Sequence, residues 1–182
     1  MVGASNNTFT FGNGADDHVE VFGPSSNNKI TLGNGHNDSV DLGPTSTSPG
    51  GDYIATGTGA GDVVLVGAHT NADTFGFALG TTGVNFTFVS GAAVGDHVVV
   101  NGGQLGNTLL SASTTDTTLA SYISSLGTLT KGDTYVGFIN TTNAHDTFIV
   151  TDTASGQIGA VELTGVAFGN STLANHVLTL HT

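Results

Sequence analysis

The chain has 182 residues, including 28 glycines, and it contains no cysteine or tryptophan. Its 14 acidic residues outnumber two lysines and give a formal net charge of −12 at pH 7. This charge argues against nucleic acid and anionic membranes as partners, because both require a basic surface. The absence of cysteine excludes disulfides and thiol chemistry. No signal peptide opens the chain and no apolar run reaches the ~18 residues of a membrane span, so we predict no membrane insertion.

A glycine-rich turn that ends in aspartate occurs three times in the first 80 residues. The copies are GNGADD at 12–17, GNGHND at 33–38 and GTGAGD at 57–62. Their final residues, Asp17, Asp38 and Asp62, lie 21 and 24 positions apart, and each is followed by an alternating apolar run. Repetition of one turn-and-strand unit at a nearly constant period predicts a solenoid.

A second family of segments lies between these turns. Its members begin at Asn7, Asn28, Asp52 and Asp73, at spacings of 21, 24 and 21 positions, and each continues as an alternating pattern. The spacing of 24 exceeds the spacing of 21 by three residues, and these fall in the loop 44–51. One insertion therefore lengthens the spacing in both families. Each coil therefore contains two strands and two turns, and the alternation directs every second side chain inward.

The alternation predicts two inner columns of stacked side chains, one from each strand of the coil. The first column contains Phe9, Phe11, Ile30, Leu32, Ile54, Thr56, Phe75 and Phe77. The second column contains Val19, Val21, Val40, Leu42, Val64 and Val66. Thr56 is the one polar member, and the pattern gives no reason for it.

The remainder of the chain loses the glycine motif and indicates a different structure. Strand patterns occur at 84–89 and 97–100 as a final coil or the start of a cap, and again at 134–139, 147–151, 161–163 and 177–180. Residues 105–115 are predicted to form a polar loop. Residues 116–126 have apolar side chains at helical spacing, with Asp116 or a nearby threonine as N-cap and Gly127 at the C-terminus.

These observations predict an all-β protein. We expect a right-handed parallel β-roll or β-solenoid over residues 1–80. Residues 81–182 are expected to form a β-rich C-terminal domain with one short helix. This domain would cap the open end of the solenoid, where strand edges and core side chains would otherwise be exposed.

The glycine turns resemble the RTX, or hemolysin-type, repeat family, whose pattern is Gly-Gly-x-Gly-x-Asp-x-U-x with U a large apolar residue. The resemblance covers roughly residues 3–80, and Val19, Val40 and Val64 take the U position. It implies a parallel β-roll whose turns bind Ca²⁺. The chain departs from the family pattern because it reads Gly-Asn/Thr-Gly-x-x-Asp and lacks the second and fourth glycines.

The resemblance also implies a set of calcium ligands. The carboxylates are Asp17, Asp38 and Asp62, and the backbone carbonyls lie around Gly12, Gly14, Asp16, Gly33, Gly35, Asn37, Gly57, Gly59 and Gly61. Sites are expected between Asp17 and Asp38 and between Asp38 and Asp62. Asp52 and Asp73 form a secondary site on the opposite edge, where earlier coils carry asparagine. Stacked acids repel one another without a cation, so calcium binding and folding should be coupled.

The sequence favours no enzymatic function. The glycines at 57–61 could suggest a nucleotide loop, but no helix follows and no lysine is near. The seven histidines form no spaced zinc motif, and no nucleophile-elbow motif occurs. The Thr8/Thr10 pair does not repeat in later coils, which argues against an ice-binding array.

The segments 146–152 and 161–165, followed by a terminal strand, are similar to the ends of proteins exported by bacterial type I secretion. This resemblance implies a secreted, extracellular protein at the cell surface. Its implied partners are calcium ions, the type I secretion apparatus and either further copies of itself or cell-surface polysaccharide. Two functions are compatible with it. One is a structural module of a surface-layer or adhesin-like protein; the other is the secretion and folding appendage of an extracellular protease or lipase.

Overall fold

The computed structural model describes residues 5–24, 26–43, 48–78, 85–100, 105, 108–139, 145–152 and 158–182. The first eleven strands are β1 (Thr8–Thr10), β2 (His18–Val21), β3 (Lys29–Thr31), β4 (Ser39–Leu42), β5 (Ser48–Gly50), β6 (Tyr53–Ala55), β7 (Asp62–Val66), β8 (His69–Asn71), β9 (Thr74–Phe77), β10 (Asn85–Ser90) and β11 (His97–Val100). The remaining elements are β12 (Thr108–Ser113), α1 (Leu119–Leu126), β13 (Asp133–Phe138), β14 (Asp146–Asp152), β15 (Ile158–Thr164), β16 (Thr172–Ala174) and β17 (Val177–Thr179). Two sequence predictions lie outside the described residues: most of the 44–51 insertion, at 44–47, and the predicted strand start at Val84.

Two large sheets form the two faces of the molecule. The first has the strand order β1-β3-β6-β9-β11-β17-β16, and its first five strands are parallel. The second has the order β2-β4-β7-β10-β15-β14-β13-β12, with parallel pairing from β2 to β15. The chain is therefore a parallel β-solenoid of about 5 turns, which confirms the predicted fold class. Both sheets contain strands from before and after residue 80, the boundary predicted between the β-roll and the C-terminal domain.

The two predicted inner columns form the core between the sheets. Ile30 and Val40 are fully buried, one from each column, and all the predicted apolar members belong to one cluster. Phe9 and Phe11 are only partly buried because Phe9 lies in β1 and Phe11 directly follows it, and β1 is the edge strand of the first sheet in the described part of the chain. The buried Thr56 hydroxyl has a partner, since its Oγ1 lies 3.0 Å from Oγ1 of Thr87.

One predicted loop is wrong. Residues 108–113, within the predicted loop 105–115, form the edge strand β12, which pairs in parallel with β13. Its residues are mostly exposed, so the alternation that marks a half-buried strand is absent. The backbone of β13 fixes this strand, and a pairing partner 25 positions away leaves no local signal in the sequence.

The single helix of the described residues was predicted and packs on the outer face of the second sheet. It begins at Leu119, three residues after the start of the predicted segment. Its N-cap is Thr118, one of the threonines near Asp116 that the sequence predicted, and Thr118 forms a capping box with Ser121. Gly127 ends it at φ 66°. Tyr122 stacks on Phe148 with ring centroids 5.6 Å apart.

Within the described residues, no helix has the length and apolarity to cross a bilayer.

Candidate functional site

The three glycine turns stack on one edge of the solenoid, which we call the first edge (residues 12–17, 33–38 and 57–62). The backbone N–H of Asp17 donates to Oδ1 of Asp38 at 2.9 Å, and the N–H of Asp38 donates to Oδ1 of Asp62 at 3.1 Å. Each aspartate thus caps the turn of the coil before it. We call this series the first ladder.

A left-handed backbone residue precedes each aspartate of the first ladder. Asp16 has φ 61°, Asn37 has φ 60° and Gly61 has φ 85°. Asparagine, aspartate and glycine are the residues that adopt this conformation most readily. The feature common to the three turns is therefore a left-handed residue followed by an aspartate, and the aspartates of the second and third turns accept a hydrogen bond from the preceding coil.

Two carboxylate oxygens of the first ladder have no hydrogen-bond partner among the residues that the structure describes. Asp38 and Asp62 are both fully buried, and Oδ2 of each has no partner. Oδ2 of Asp38 lies 3.1 Å from the position that a Cβ on Gly35 would occupy, so it lies within its own glycine turn. Burial raises the pKa of Asp62 to about 6; the charge of Asp38 adds to the rise, and the Asp38 N–H and His36 oppose it.

The glycines of the first edge allow close stacking of the coils. A Cβ on Gly33 would lie 1.4 Å from the carbonyl oxygen of Gly12, and a Cβ on Gly35 would lie 1.7 Å from that of Gly14. Gly57 and Gly59 repeat these contacts on the next coil at 1.5 and 1.4 Å. The carbonyl oxygens of Gly12, Gly14, Gly33 and Gly35 are therefore directed at the next coil.

A second ladder runs along the opposite edge of the solenoid, and it is longer than the first. Its side chains accept the backbone N–H of the preceding member at 3.1, 2.7, 2.9 and 2.8 Å. Its members are Asn7, Asn28, Asp52, Asp73 and Asp96. The sequence reasoning missed Asp96. The signal was a glycine in the left-handed region, Gly95 at φ 97°, directly before an acid and a strand.

A histidine supplies the positive charge at the end of the second ladder. Nε2 of His69 lies 3.0 and 3.2 Å from the two carboxylate oxygens of Asp96, and Nδ1 lies 3.7 Å from Oδ2 of Asp73. The hydrogen bond to Asp96 raises the pKa of His69 to about 9, against the opposing effect of burial. Burial raises the pKa of Asp73 to about 6. An imidazolium thus lies between two acids of this edge.

The two edges differ in what they offer a metal ion. Among the described residues, no three acidic or histidine side chains are grouped so that they could hold a metal without other ligands. On the first edge, Asp38 and Asp62 retain buried anionic oxygens without donors, and these are the hard ligands that Ca²⁺ takes. Backbone oxygens or water would have to complete the shell. On the second edge, His69 already contacts the carboxylates of Asp73 and Asp96.

Comparison with known proteins assigns the chain to no family. No protein-family model matches the sequence, and no curated protein is significantly similar to it.

Proposed function

We propose that the solenoid is a calcium-binding structural module in which Ca²⁺ neutralises the first ladder. The observation that carries the proposal is the pair of fully buried carboxylates, Asp38 and Asp62, whose Oδ2 atoms have no donor. A buried charge without a partner is strongly unfavourable, and a divalent cation beside two such oxygens offsets that cost. When bound, calcium would supply the positive charge that His69 supplies on the opposite edge.

Calcium binding would then be linked to folding. Each aspartate of the first ladder already joins two coils through its Oδ1 atom, so a cation held by the Oδ2 atoms would stabilise coil stacking directly. In the unfolded chain these acids are far apart, so the ion binds the folded state preferentially.

The resemblance to RTX repeats suggests where this linkage would operate. We propose that the protein is exported unfolded by a type I apparatus, folds in extracellular calcium and acts at the cell surface as a structural rather than catalytic module. The parallel solenoid supports this role because it presents extended, regular faces. Self-association in a surface layer or adhesin is part of the same proposal.

Urea unfolding followed by circular dichroism, in EDTA and in millimolar Ca²⁺, tests the calcium linkage. We expect Ca²⁺ to raise the unfolding midpoint of the wild type and to have little effect on the double variant Asp38→Asn/Asp62→Asn. Asp16→Asn is the matched control, because this exposed neighbour keeps its φ of 61° with either side chain. The proposal fails if the wild-type midpoint is the same in EDTA and calcium.

A further inference from the structure

Two aspartates face each other on the outer side of the C-terminal domain, away from both ladders. Asp133 begins β13 and Asp152 ends β14, and they are direct partners in the antiparallel register. Directly paired residues project from the same face of a sheet, with Cβ atoms about 4.5–5.5 Å apart. The pair lies one row beyond Tyr135 and Val150 on that face.

No basic side chain of the described residues compensates the charge of this pair. Asp152 is only 6% exposed, and its buried Oδ1 atom has no hydrogen-bond partner in the part of the chain that the structure describes. Neither carboxylate forms an ion pair with any basic side chain of the described residues, although Lys131 is close in sequence. Like charges directly opposite each other destabilise a strand pair.

The turn before β13 holds the backbone close to this end of β14. The Gly132 N–H donates to the carbonyl of Asp152 at 2.6 Å, and the Asp133 N–H donates to the carbonyl of Thr130 at 3.2 Å. Gly132 has φ 89°, which a residue with a side chain rarely adopts. The turn thus fixes Asp133 beside a carboxylate that is nine-tenths buried.

We propose that Asp133 and Asp152 form a second divalent-cation site that takes Ca²⁺, because the carboxylate donors are hard oxygens. Its carboxylates belong to the C-terminal domain, so it would stabilise the β13–β14 hairpin rather than the stacking of coils. It shares no residue with the first ladder, so an experiment can disprove one of the two proposed sites without disproving the other.

Terbium(III), a luminescent substitute for Ca²⁺, distinguishes the two sites because nearby tyrosine sensitises its emission. Tyr135 is two residues from Asp133 on the same face of β13, so the Cα atoms of the two residues lie roughly 7 Å apart along the strand. The strands around Asp38 and Asp62 carry no tyrosine, and Tyr53 belongs to the other sheet. Emission excited through tyrosine therefore reports chiefly on the proposed site.

We expect tyrosine-sensitised terbium emission from the full chain, displaced by excess Ca²⁺ and lost in Asp152→Asn. It should also be lost in Tyr122→Phe/Tyr135→Phe, because Tyr122 belongs to the cluster against which Tyr135 packs. Tyr53→Phe and Asp38→Asn/Asp62→Asn should retain it. Thermal unfolding in EDTA is the control for folding. Asp152→Asn should unfold at or above the wild-type temperature, because removing a buried unpaired charge should not destabilise the protein. Emission that survives in Asp133→Asn/Asp152→Asn, or that disappears only in Asp38→Asn/Asp62→Asn, would overturn the proposal. So would the absence of any sensitised emission.

Discussion

The backbone N–H of Asp17 donates a 2.9 Å hydrogen bond to Oδ1 of Asp38 in the next coil. This contact gives the acids of the glycine turns a structural role that does not depend on metal. Oδ1 of Asp38 accepts the N–H of the neighbouring turn, while Oδ2 has no donor among the described residues. The two oxygens therefore support two functions that mutations can separate.

Substitution at Asp38 separates ladder and cation effects. Asp38→Asn keeps an oxygen that can accept the Asp17 N–H, so in EDTA its stability should equal or exceed that of the wild type. Asp38→Ala removes the acceptor and should cost about 1–3 kcal/mol, because it leaves the N–H unpaired. Both variants should lose the response to Ca²⁺. Urea unfolding of both variants, each in EDTA and in calcium, measures the four free energies of unfolding. If Asp38→Asn and Asp38→Ala lose equal stability in EDTA, the Asp17–Asp38 hydrogen bond does not stabilise the fold as described.

Gly33 and Gly12 occupy equivalent positions in successive turns and make a matched pair. A Cβ on Gly33 would lie 1.4 Å from the Gly12 carbonyl oxygen, whereas a Cβ on Gly12 would meet nothing within 4 Å. Gly33→Ala should therefore destabilise the protein by about 3 kcal/mol or more, and Gly12→Ala by less than about 0.5 kcal/mol. Urea unfolding in EDTA compares them without metal effects. Similar losses for both would show that the coils do not stack as described.

The ion pair of His69 predicts a pH dependence of the metal-free protein. Because Asp96 raises the pKa of His69 from 6.5 to about 9, the folded state holds this proton more tightly than the unfolded state. The contribution is fully present below pH 6.5 and is lost as the pH rises through about 9. Its upper limit is roughly 3 kcal/mol, since each pKa unit corresponds to about 1.4 kcal/mol.

His69→Gln should remove this part of the pH dependence, and the exposed His145→Gln should leave it unchanged. Free energies of unfolding measured in EDTA between pH 6 and pH 10 make the comparison. A wild-type stability that is flat over this range, or a His145 variant that behaves like the His69 variant, would show that the pair does not hold its proton.

The helix cap offers a test that involves neither ladder. Oγ1 of Thr118 accepts the Ser121 N–H at 3.1 Å, so Thr118→Ala should cost about 1 kcal/mol. Thr117→Ala is the control, because Thr117 is exposed and precedes the cap. Thermal unfolding compares the two variants. An equal effect would mean that the helix begins elsewhere than at Leu119.

The solenoid was predictable because its coils repeat. Val19, Val40 and Val64 recur at one register position, and strict alternation fixes which side chains face inward. The glycine turns were also visible as a motif. Their stacking role was not, because the contact between Gly33 and the Gly12 carbonyl exists only after the coils are in register.

Features set by distant parts of the chain could not be predicted. β12 depends on the backbone of β13, and the Asp133–Asp152 pair arises from hairpin register rather than from sequence spacing. Thr56 remained unexplained until Thr87, 31 residues away, supplied its hydroxyl partner. His69 was one of seven histidines in the sequence, and only the fold places it between Asp73 and Asp96.

Anomalous scattering from crystals grown in calcium tests the central claim most directly, because it counts the bound ions and places each on an edge. Our account predicts an ion on the first edge beside Oδ2 of Asp38 and Asp62, and none between Asp73 and Asp96, where His69 lies. Ions along the Asp52–Asp73–Asp96 edge, with none at Asp38, would contradict it.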